Sequence, residues 1–231
     1  MMRFPIIRRA VKRILPDITT IDVKAFAYRI IGKKYWFEHR WNAFATHQPV
    51  LFSALSLTSG PVLELGCGEG SSRMMHYLCA NQGRELISMD HDTHYLSFYE
   101  RRFRSRIHVF DSGADWASAL SKFADWKWGV VFVDCGPSWH SRVLPIHLFK
   151  DRATFIVVHD IDALVDNGLI GRSISPIDGT KDRGVRDYSA TFSYWKEFFP
   201  LDPWPNHRTG PPTLLASNER SCDIEINYAN F

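Results

Sequence analysis

One stretch decides the fold of this chain: Pro61-Val62-Leu63-Glu64-Leu65-Gly66-Cys67-Gly68-Glu69-Gly70-Ser71-Ser72. Its first half is apolar except for Glu64 and predicts a short buried strand. A Gly-x-Gly-x-Gly loop follows directly, and a helix is expected to begin after it. Glycines let a ligand lie against the backbone, and the first turn of a helix offers unpaired N–H groups and partial positive charge. The stretch therefore predicts a strand–loop–helix ligand site.

The spacing of the glycines separates two kinds of ligand. The dinucleotide fingerprint is Gly-x-Gly-x-x-Gly/Ala, and the third position of that pattern is Ser71 in this chain. What the chain has instead is Glu-x-Gly-x-Gly-x-Gly, from Glu64 to Gly70. This pattern resembles the first motif of the class I S-adenosylmethionine (SAM) methyltransferases, and the resemblance extends over about residues 42–220.

The resemblance implies that SAM is the cofactor. In that family the loop holds the amino-acid end of SAM, and the acidic residue, here Glu64, helps to organise the ammonium group. The loop residues expected to contact the cofactor are Gly66, Cys67, Gly68, Gly70 and Ser71.

Acidic residues after the next two strands support a nucleoside ligand. Asp90 ends the predicted strand Leu86–Met89, about 20 residues beyond the last glycine, which is the position of a ribose-binding acid. His91 adjoins it, and Asp92 is an alternative. After the third strand the resemblance implies an acid that binds the adenine amino group. Here the residues are Asp111 and Ser112, with Trp116 close enough in sequence to cover the ring.

Apolar runs alternate with helical patterns along the chain, which predicts an α/β fold with a doubly wound sheet. The resemblance implies a Rossmann-like, mostly parallel, seven-stranded sheet with an antiparallel C-terminal strand. Predicted strands are Val62–Leu65, Leu86–Met89, Ile107–Phe110, Val130–Val133, Phe155–Val158, Phe198–Leu201 and Thr213–Ser217. Predicted helices are Ser71–Ala80, Tyr95–Phe103, Trp116–Phe123, Ser141–Phe149 and Tyr188–Phe198.

Charge divides the chain into two parts. Residues 1–59 carry ten Lys/Arg against three Asp/Glu, whereas the remainder carries 18 against 22. We expect residues 1–41 to form a basic, aromatic-rich helical extension or lid, and residues 42–231 to form the methyltransferase domain. A basic arm suits nucleic acid, an anionic membrane surface or an acidic substrate, but a solvated helix face is the explanation that we favour.

Composition sets further bounds. No stretch reaches the roughly 18 apolar residues of a membrane span, and basic residues interrupt the short apolar start. The four cysteines show no Cys-x-x-Cys spacing, which argues against a zinc site or disulfide framework and favours a cytoplasmic protein.

The predicted reaction centre follows the fourth and fifth strands. The resemblance implies that Asp134 lies beside the methyl group of SAM. His140 follows just beyond it in the sequence, and His159-Asp160 comes after the fifth strand. In one arrangement Asp134 and Asp160 bind a divalent cation such as Mg²⁺, as in metal-dependent O-methyltransferases of catechols or sugars. In the other, His140 or His159 is the general base. Asp134 is central to both.

The predicted function is O-methylation of a small-molecule or glycan hydroxyl. One alternative is a nucleic-acid methyltransferase recruited by the basic arm. Against it, Asp134-Cys135-Gly136-Pro137 is not the Asn/Asp-Pro-Pro-Tyr/Phe motif of amino-methylating enzymes. A second alternative is a non-catalytic SAM-binding protein. The long Gly-punctuated segment Gly168–Asp187 predicts either a lid or binding loop or a mobile solvated loop. As a binding loop, its cations would suit an anionic or polyhydroxyl substrate: Arg172, Lys181, Arg183 and Arg186.

Overall fold

The computed structural model describes residues 46–174, 186–199 and 211–226. The predicted extension 1–41 therefore lies outside the described residues, as do Lys181 and Arg183. Within them, no helix has both the length and the apolar character needed to cross a membrane.

Helices and strands alternate through the described residues, close to the predicted positions. In chain order they are α1 (Gln48–Ser56), β1 (Val62–Leu65), α2 (Ser72–Gln82), β2 (Leu86–Asp90), α3 (Thr93–Phe103), β3 (His108–Ser112), α4 (Trp116–Ser121), β4 (Trp128–Val133), a 3₁₀ turn (Trp139–Arg142), α5 (Val143–Phe149), β5 (Ala153–His159), α6 (Ile161–Asp166), β6 (Arg172–Ser173), β7 (Arg186–Asp187), β8 (Tyr194–Phe198) and β9 (Thr213–Ser217).

Seven strands form one sheet in the order β3-β2-β1-β4-β5-β9-β8. The first five are parallel to one another, and β9 runs antiparallel to both β5 and β8. This confirms the predicted fold class, including the inserted antiparallel last strand. The resemblance to the class I SAM-dependent methyltransferases is thus confirmed at the level of the fold.

Two predictions near the C-terminus are wrong. Tyr188–Phe198 is not a helix: only one turn forms, closed by a hydrogen bond from the Phe192 N–H to the Tyr188 carbonyl at 2.9 Å. The chain then enters β8, whose aromatic residues suit a strand. The strand predicted at Phe198–Leu201 is misplaced, because β8 ends at Phe198, paired with Thr213, and Phe199 lies beyond it. Residues 200 and 201 lie outside the described residues.

Both faces of the sheet are covered by helices. Along β4 and β5, Val131 and Ile156 belong to one apolar cluster, whereas Val130 and Phe155 belong to the other. Helices α4, α5 and α6 pack into the first cluster, and α1 and α2 into the second. Because all four residues of β1 are buried, the loop that follows it is held on a rigid base.

Candidate active site

The parallel register places the ends of four strands in one row. Leu65 is paired with both Met89 and Val133, and Val133 is paired with Val158. The next residues along these strands are Gly66, Asp90, Asp134 and His159, which therefore lie side by side at the carboxyl edge of the sheet. Ligands of open parallel sheets bind at this edge. The structure thus brings together predicted site residues from four separate parts of the sequence.

Within this row, Gly66 lies directly against the backbone of Asp134. Its φ is +97°, and a Cβ placed on it would lie 2.3 Å from the carbonyl oxygen of Asp134. Its N–H donates to the Met89 carbonyl at 2.8 Å. Glycine is required here both for the left-handed backbone and for the contact between the ends of β1 and β4.

Glu64 lies fully buried beneath the loop and anchors it. Its Oε1 accepts hydrogen bonds from the hydroxyls of Ser71 at 2.6 Å and Ser72 at 2.8 Å, and its Oε2 accepts one from Ser88. Burial raises the pKa of Glu64 to about 7, although the three hydroxyls favour the ionised form. The predicted acid therefore fixes the loop to the first turn of α2.

A buried polar chain continues from Glu64 across the sheet. The Ser88 hydroxyl contacts Nε2 of His108 at 2.8 Å, and Nδ1 of His108 lies 3.0 Å from Nδ1 of His76. Burial, and then the neighbouring His76, lower the pKa of His108 well below its usual value. Nothing in the local sequence pattern indicates this chain, because its members come from β1, β2, β3 and α2.

Asp90 is buried beside the glycine loop. Its Oδ2 accepts from the Cys67 N–H at 2.8 Å, its Oδ1 accepts from the Asp92 N–H at 2.9 Å, and Nδ1 of His91 lies 3.2 Å from Oδ1. A carboxylate has about four lone-pair sites, so these two hydrogen bonds leave acceptor capacity for ribose hydroxyls. The His91 ring lies against Gly136, where a Cβ would come within 2.7 Å of it.

The other acids near β2 and β3 have local partners. Asp92, the alternative ribose ligand, caps α3 by accepting from the N–H groups of His94 and Tyr95. Asp111 forms an ion pair with Lys122 at 2.8 Å and accepts from the Ser112 N–H. The Trp116 ring covers Gly113 and donates from Nε1 to the Gly136 carbonyl at 2.8 Å. The Trp116 side chain thus connects the segments that follow β3 and β4.

Arg142 organises the reaction centre around Asp134. It donates from Nη2 to Asp134 Oδ1 at 2.8 Å, from Nη1 to the His159 carbonyl at 2.6 Å and from Nε to the Cys135 carbonyl at 3.2 Å. Its side chain is 7% exposed, and its Cζ lies 4.6 Å from the centre of the Trp139 ring. Burial alone would raise the pKa of Asp134, but the charges of His159 and Arg142 outweigh it and lower that pKa, so Asp134 is ionised.

His159 is buried between Asp134 and Thr46. Its Nδ1 lies 3.3 Å from Asp134 Oδ2 and 3.7 Å from Asp160 Oδ1, while its Nε2 contacts the Thr46 hydroxyl at 3.1 Å. The ring also meets the His47 ring edge to face, with centroids 4.5 Å apart. Asp160, the residue that follows, adopts a left-handed backbone with φ +53°.

His140 and Asp160 are the remaining residues of the predicted reaction centre. His140 is exposed on the 3₁₀ turn and does not belong to the row that contains His159. Asp160 lies beside the row, with Oδ2 3.6 Å from Arg142 Nη2, and burial raises its pKa. Asp134 and Asp160 thus share the Arg142 guanidinium, with imidazoles beside them. Since Mg²⁺ prefers a shell of oxygen ligands, this donor set does not fit the Mg²⁺ site expected from the resemblance.

His47, Thr46 and Arg142 are site residues to which the sequence pattern assigns no role. His47 and Thr46 precede α1 and reach His159 from more than 110 positions away. For Arg142 the sequence gives only a weak indication, namely that a cationic residue follows Asp134 by eight positions.

Two predicted substrate-binding cations are engaged within the protein. Arg172 forms an ion pair with Asp187 at 2.9 Å, and Arg186 with Glu197 at 3.3 Å. They stand on β6 and β7, which pair antiparallel at the two ends of the predicted lid segment.

The chain is similar over part of its length to one protein family, and distantly to two solved structures. Residues 29–108 match the family model of the tellurite resistance protein TehB, which is less than half of the chain but includes the glycine loop and Asp90. A SAM-dependent methyltransferase structure from Anabaena variabilis is 13% identical, with a TM-score of 0.39, and the match covers 87% of this chain and 94% of that one. A Listeria monocytogenes protein assigned as a SAM-dependent methyltransferase is 12% identical, with a TM-score of 0.40, covering 77% and 96%. No curated protein sequence matches. Because both TM-scores are below 0.5, we base the proposed function on this chain's own topology and residues.

Proposed function

We propose that this protein is a SAM-dependent methyltransferase that transfers the methyl group to a hydroxyl of a small molecule or glycan. One observation carries the proposal. The Glu64-anchored glycine loop, Asp90 and the Asp134–His159 pair lie in a single row at the carboxyl edge of a seven-stranded sheet with the antiparallel last strand that the resemblance implies.

The donor half of the site is formed by the first three strands. The loop after β1 would hold the amino-acid end of SAM, and Glu64 keeps that loop in place through Ser71 and Ser72. The free lone pairs of Asp90 would accept from the ribose hydroxyls. Asp111 and Ser112, at the end of β3, stand where the adenine would lie.

The acceptor half is formed by Asp134 and His159. Methyl transfer is an in-line displacement, in which the acceptor oxygen bonds to the methyl carbon while the carbon–sulfur bond breaks and S-adenosylhomocysteine (SAH) leaves. The hydroxyl proton must go to a base. Asp134 is a weak base because its pKa is lowered, whereas the imidazole of His159 beside it is a group of the kind that takes up protons in catalysis. We therefore assign proton removal to the Asp134–His159 centre, with Asp134 stabilising the positive charge.

The Asp134–His159 centre favours oxygen over nitrogen as the acceptor atom, because a hydroxyl needs a base to remove its proton at neutral pH. The segment after β4, Asp134-Cys135-Gly136-Pro137, also lacks the motif of amino-methylating enzymes. The match to the TehB model ends at residue 108, before β4, so it bears on the donor half of the site and not on the acceptor.

The test is product formation from SAM. Full-length protein is incubated with SAM and separate panels of catechols, sugars, amines and a mixed-sequence oligonucleotide, and SAH and methylated product are measured by mass spectrometry. We expect SAH with a hydroxyl acceptor and none from an Asp134→Asn variant. Turnover confined to amines or to the oligonucleotide would contradict the assignment.

A further inference from the structure

Three side chains converge at the reaction centre in the manner of metal ligands. One ligand atom each from His47, Asp134 and His159 lie within 4.8 Å of one another. Both histidines are 2% exposed, and the Asp134 side chain is 26% exposed. The cluster is therefore buried on the protein side and open at Asp134.

The hydrogen bonds of Thr46 fix the tautomer of His159. The Thr46 hydroxyl has one proton, and it donates that proton to the Pro211 carbonyl at 2.9 Å. Its contact with His159 Nε2 at 3.1 Å must then be a hydrogen bond that Thr46 accepts. Nε2 consequently carries a hydrogen, and in the neutral ring Nδ1 has an open lone pair.

That lone pair faces a negative charge. Nδ1 lies 3.3 Å from Asp134 Oδ2, yet it is buried without a hydrogen-bond partner among the described residues. An imidazole nitrogen this close to a carboxylate oxygen either carries a proton itself or shares a bound cation with the carboxylate. The arrangement is that of a metal-binding histidine, whose second nitrogen donates to an orienting group.

His47 provides a second unsatisfied imidazole. Both of its ring nitrogens are buried with no hydrogen-bond partner in the part of the chain that the structure describes, and leaving such groups unpaired costs free energy. A neutral imidazole with no hydrogen-bond partner has a lone pair to give to a metal ion.

The local charges also favour a cation. Arg142 donates a hydrogen bond to Oδ1 of Asp134, and Oδ2 is the carboxylate oxygen that lies near His159. Asp134 and Asp160 are two acids beside this one arginine.

We propose that His47, Asp134 and His159 bind one divalent transition-metal ion of the kind that accepts imidazole, such as Zn²⁺ or Fe²⁺. Two histidines and one carboxylate are ligands that these ions take readily, whereas Mg²⁺ prefers oxygen. Ligand atoms around a tetrahedral ion at about 2.1 Å stand roughly 3.4 Å apart, so the cluster closes inward on binding. A tetrahedral ion held by these three side chains would have its fourth position available to a substrate oxygen.

This inference rests on the proposed function for its catalytic meaning. An ion held there would lower the pKa of the acceptor hydroxyl, and His159 would then be a ligand rather than the base. Binding of the ion itself requires no assumption about methyl transfer.

The test is Co²⁺ binding to the full-length, tag-free protein after treatment with a chelator. We expect one Co²⁺ per chain with visible ligand-field absorption, displaced by Zn²⁺ and not by excess Mg²⁺. His47→Ala and His159→Gln should abolish the absorption, and Thr46→Val should weaken binding about 10- to 100-fold. His147→Ala, an exposed histidine on α5, should bind as the parent does.

The proposal would be overturned if the parent protein showed no Co²⁺ absorption, or if the absorption persisted in each of the two single variants, His47→Ala and His159→Gln. Circular dichroism of each variant shows whether it is folded, and if His47→Ala is not, His47→Gln replaces it. SAM calorimetry on the same metal-free samples separates the two proposals: SAM binding without Co²⁺ binding removes the metal site alone, and the reverse removes the proposed donor site alone.

Discussion

A Cβ on Gly66 would lie 2.3 Å from the carbonyl oxygen of Asp134, so the loop that we assign to the donor touches the backbone of the residue that we assign to the acceptor. The contact joins the ends of β1 and β4. It means that the two halves of the site share one rigid junction, and that a change at Gly66 disturbs both.

Gly66→Ala is therefore expected to destabilise the fold by about 3 kcal/mol and to abolish measurable SAM binding. Both the φ of +97° and the contact with Asp134 oppose the methyl group. Chemical denaturation and calorimetry measure the two effects. The matched control is Gly83→Ala, which has φ +66° and no described atom within 4 Å of an added Cβ, and should cost about 1 kcal/mol without changing SAM affinity.

Asp90→Ala is expected to weaken SAM binding at least about ten-fold, because it removes a charged acceptor that holds the Cys67 N–H and faces the ribose position. Asp92→Ala is the control. It removes the cap of α3, which should lower stability by about 1 kcal/mol and leave the affinity unchanged. Equal loss of affinity in both variants would show that Asp90 does not bind the ribose.

Glu64 should make stability depend on pH. Its pKa is about 7 in the fold and 4.5 when unperturbed. Between these values the folded state holds a proton that the unfolded state releases, so raising the pH destabilises the fold until about pH 7. Relative to Glu64→Gln, the parent should lose about 2.5 kcal/mol of unfolding free energy from pH 5 to pH 8. The control is Glu85→Gln, a change at an exposed position. If the difference in unfolding free energy between the parent and Glu64→Gln varied with pH no more than it does for this control, the assignment of Glu64 as a buried, protonated acid would be contradicted.

Asp134→Asn should lower turnover about 10²- to 10⁴-fold while SAM affinity changes little. The amide keeps the shape but loses the charge that Arg142 and His159 face. Turnover comes from SAH formation under saturating SAM, and affinity from calorimetry. Asp166→Asn, an exposed change at the end of α6, is the matched control and should behave as the parent. A fully active Asp134→Asn would place the reaction elsewhere.

His159→Gln and His140→Ala separate the two predicted bases. We expect the first to remove turnover, because Nδ1 of His159 lies 3.3 Å from Asp134, whereas His140 is exposed on the 3₁₀ turn. The pH profile of residual activity adds a readout that a purely structural defect would leave unchanged. Loss of turnover in His140→Ala alone would reverse the assignment.

The donor half is predictable because its residues follow strands in the local sequence. Parallel strands align their carboxyl ends, so Gly66, Asp90 and Asp134 must meet once the strands are recognised. His47 and Thr46 are not predictable, because α1 reaches His159 through a tertiary contact that no local pattern encodes. The helix predicted at Tyr188–Phe198 is wrong because the helical spacing of its apolar residues reflects a single turn followed by a strand.

Calorimetry with SAM and SAH on the full-length protein tests the central claim most directly. We predict that each nucleoside binds with one site per chain and that Asp90→Ala weakens both, while Asp92→Ala weakens neither. Failure of the folded parent protein to bind either nucleoside would contradict the assignment of the glycine loop, and with it the proposed methyltransferase function.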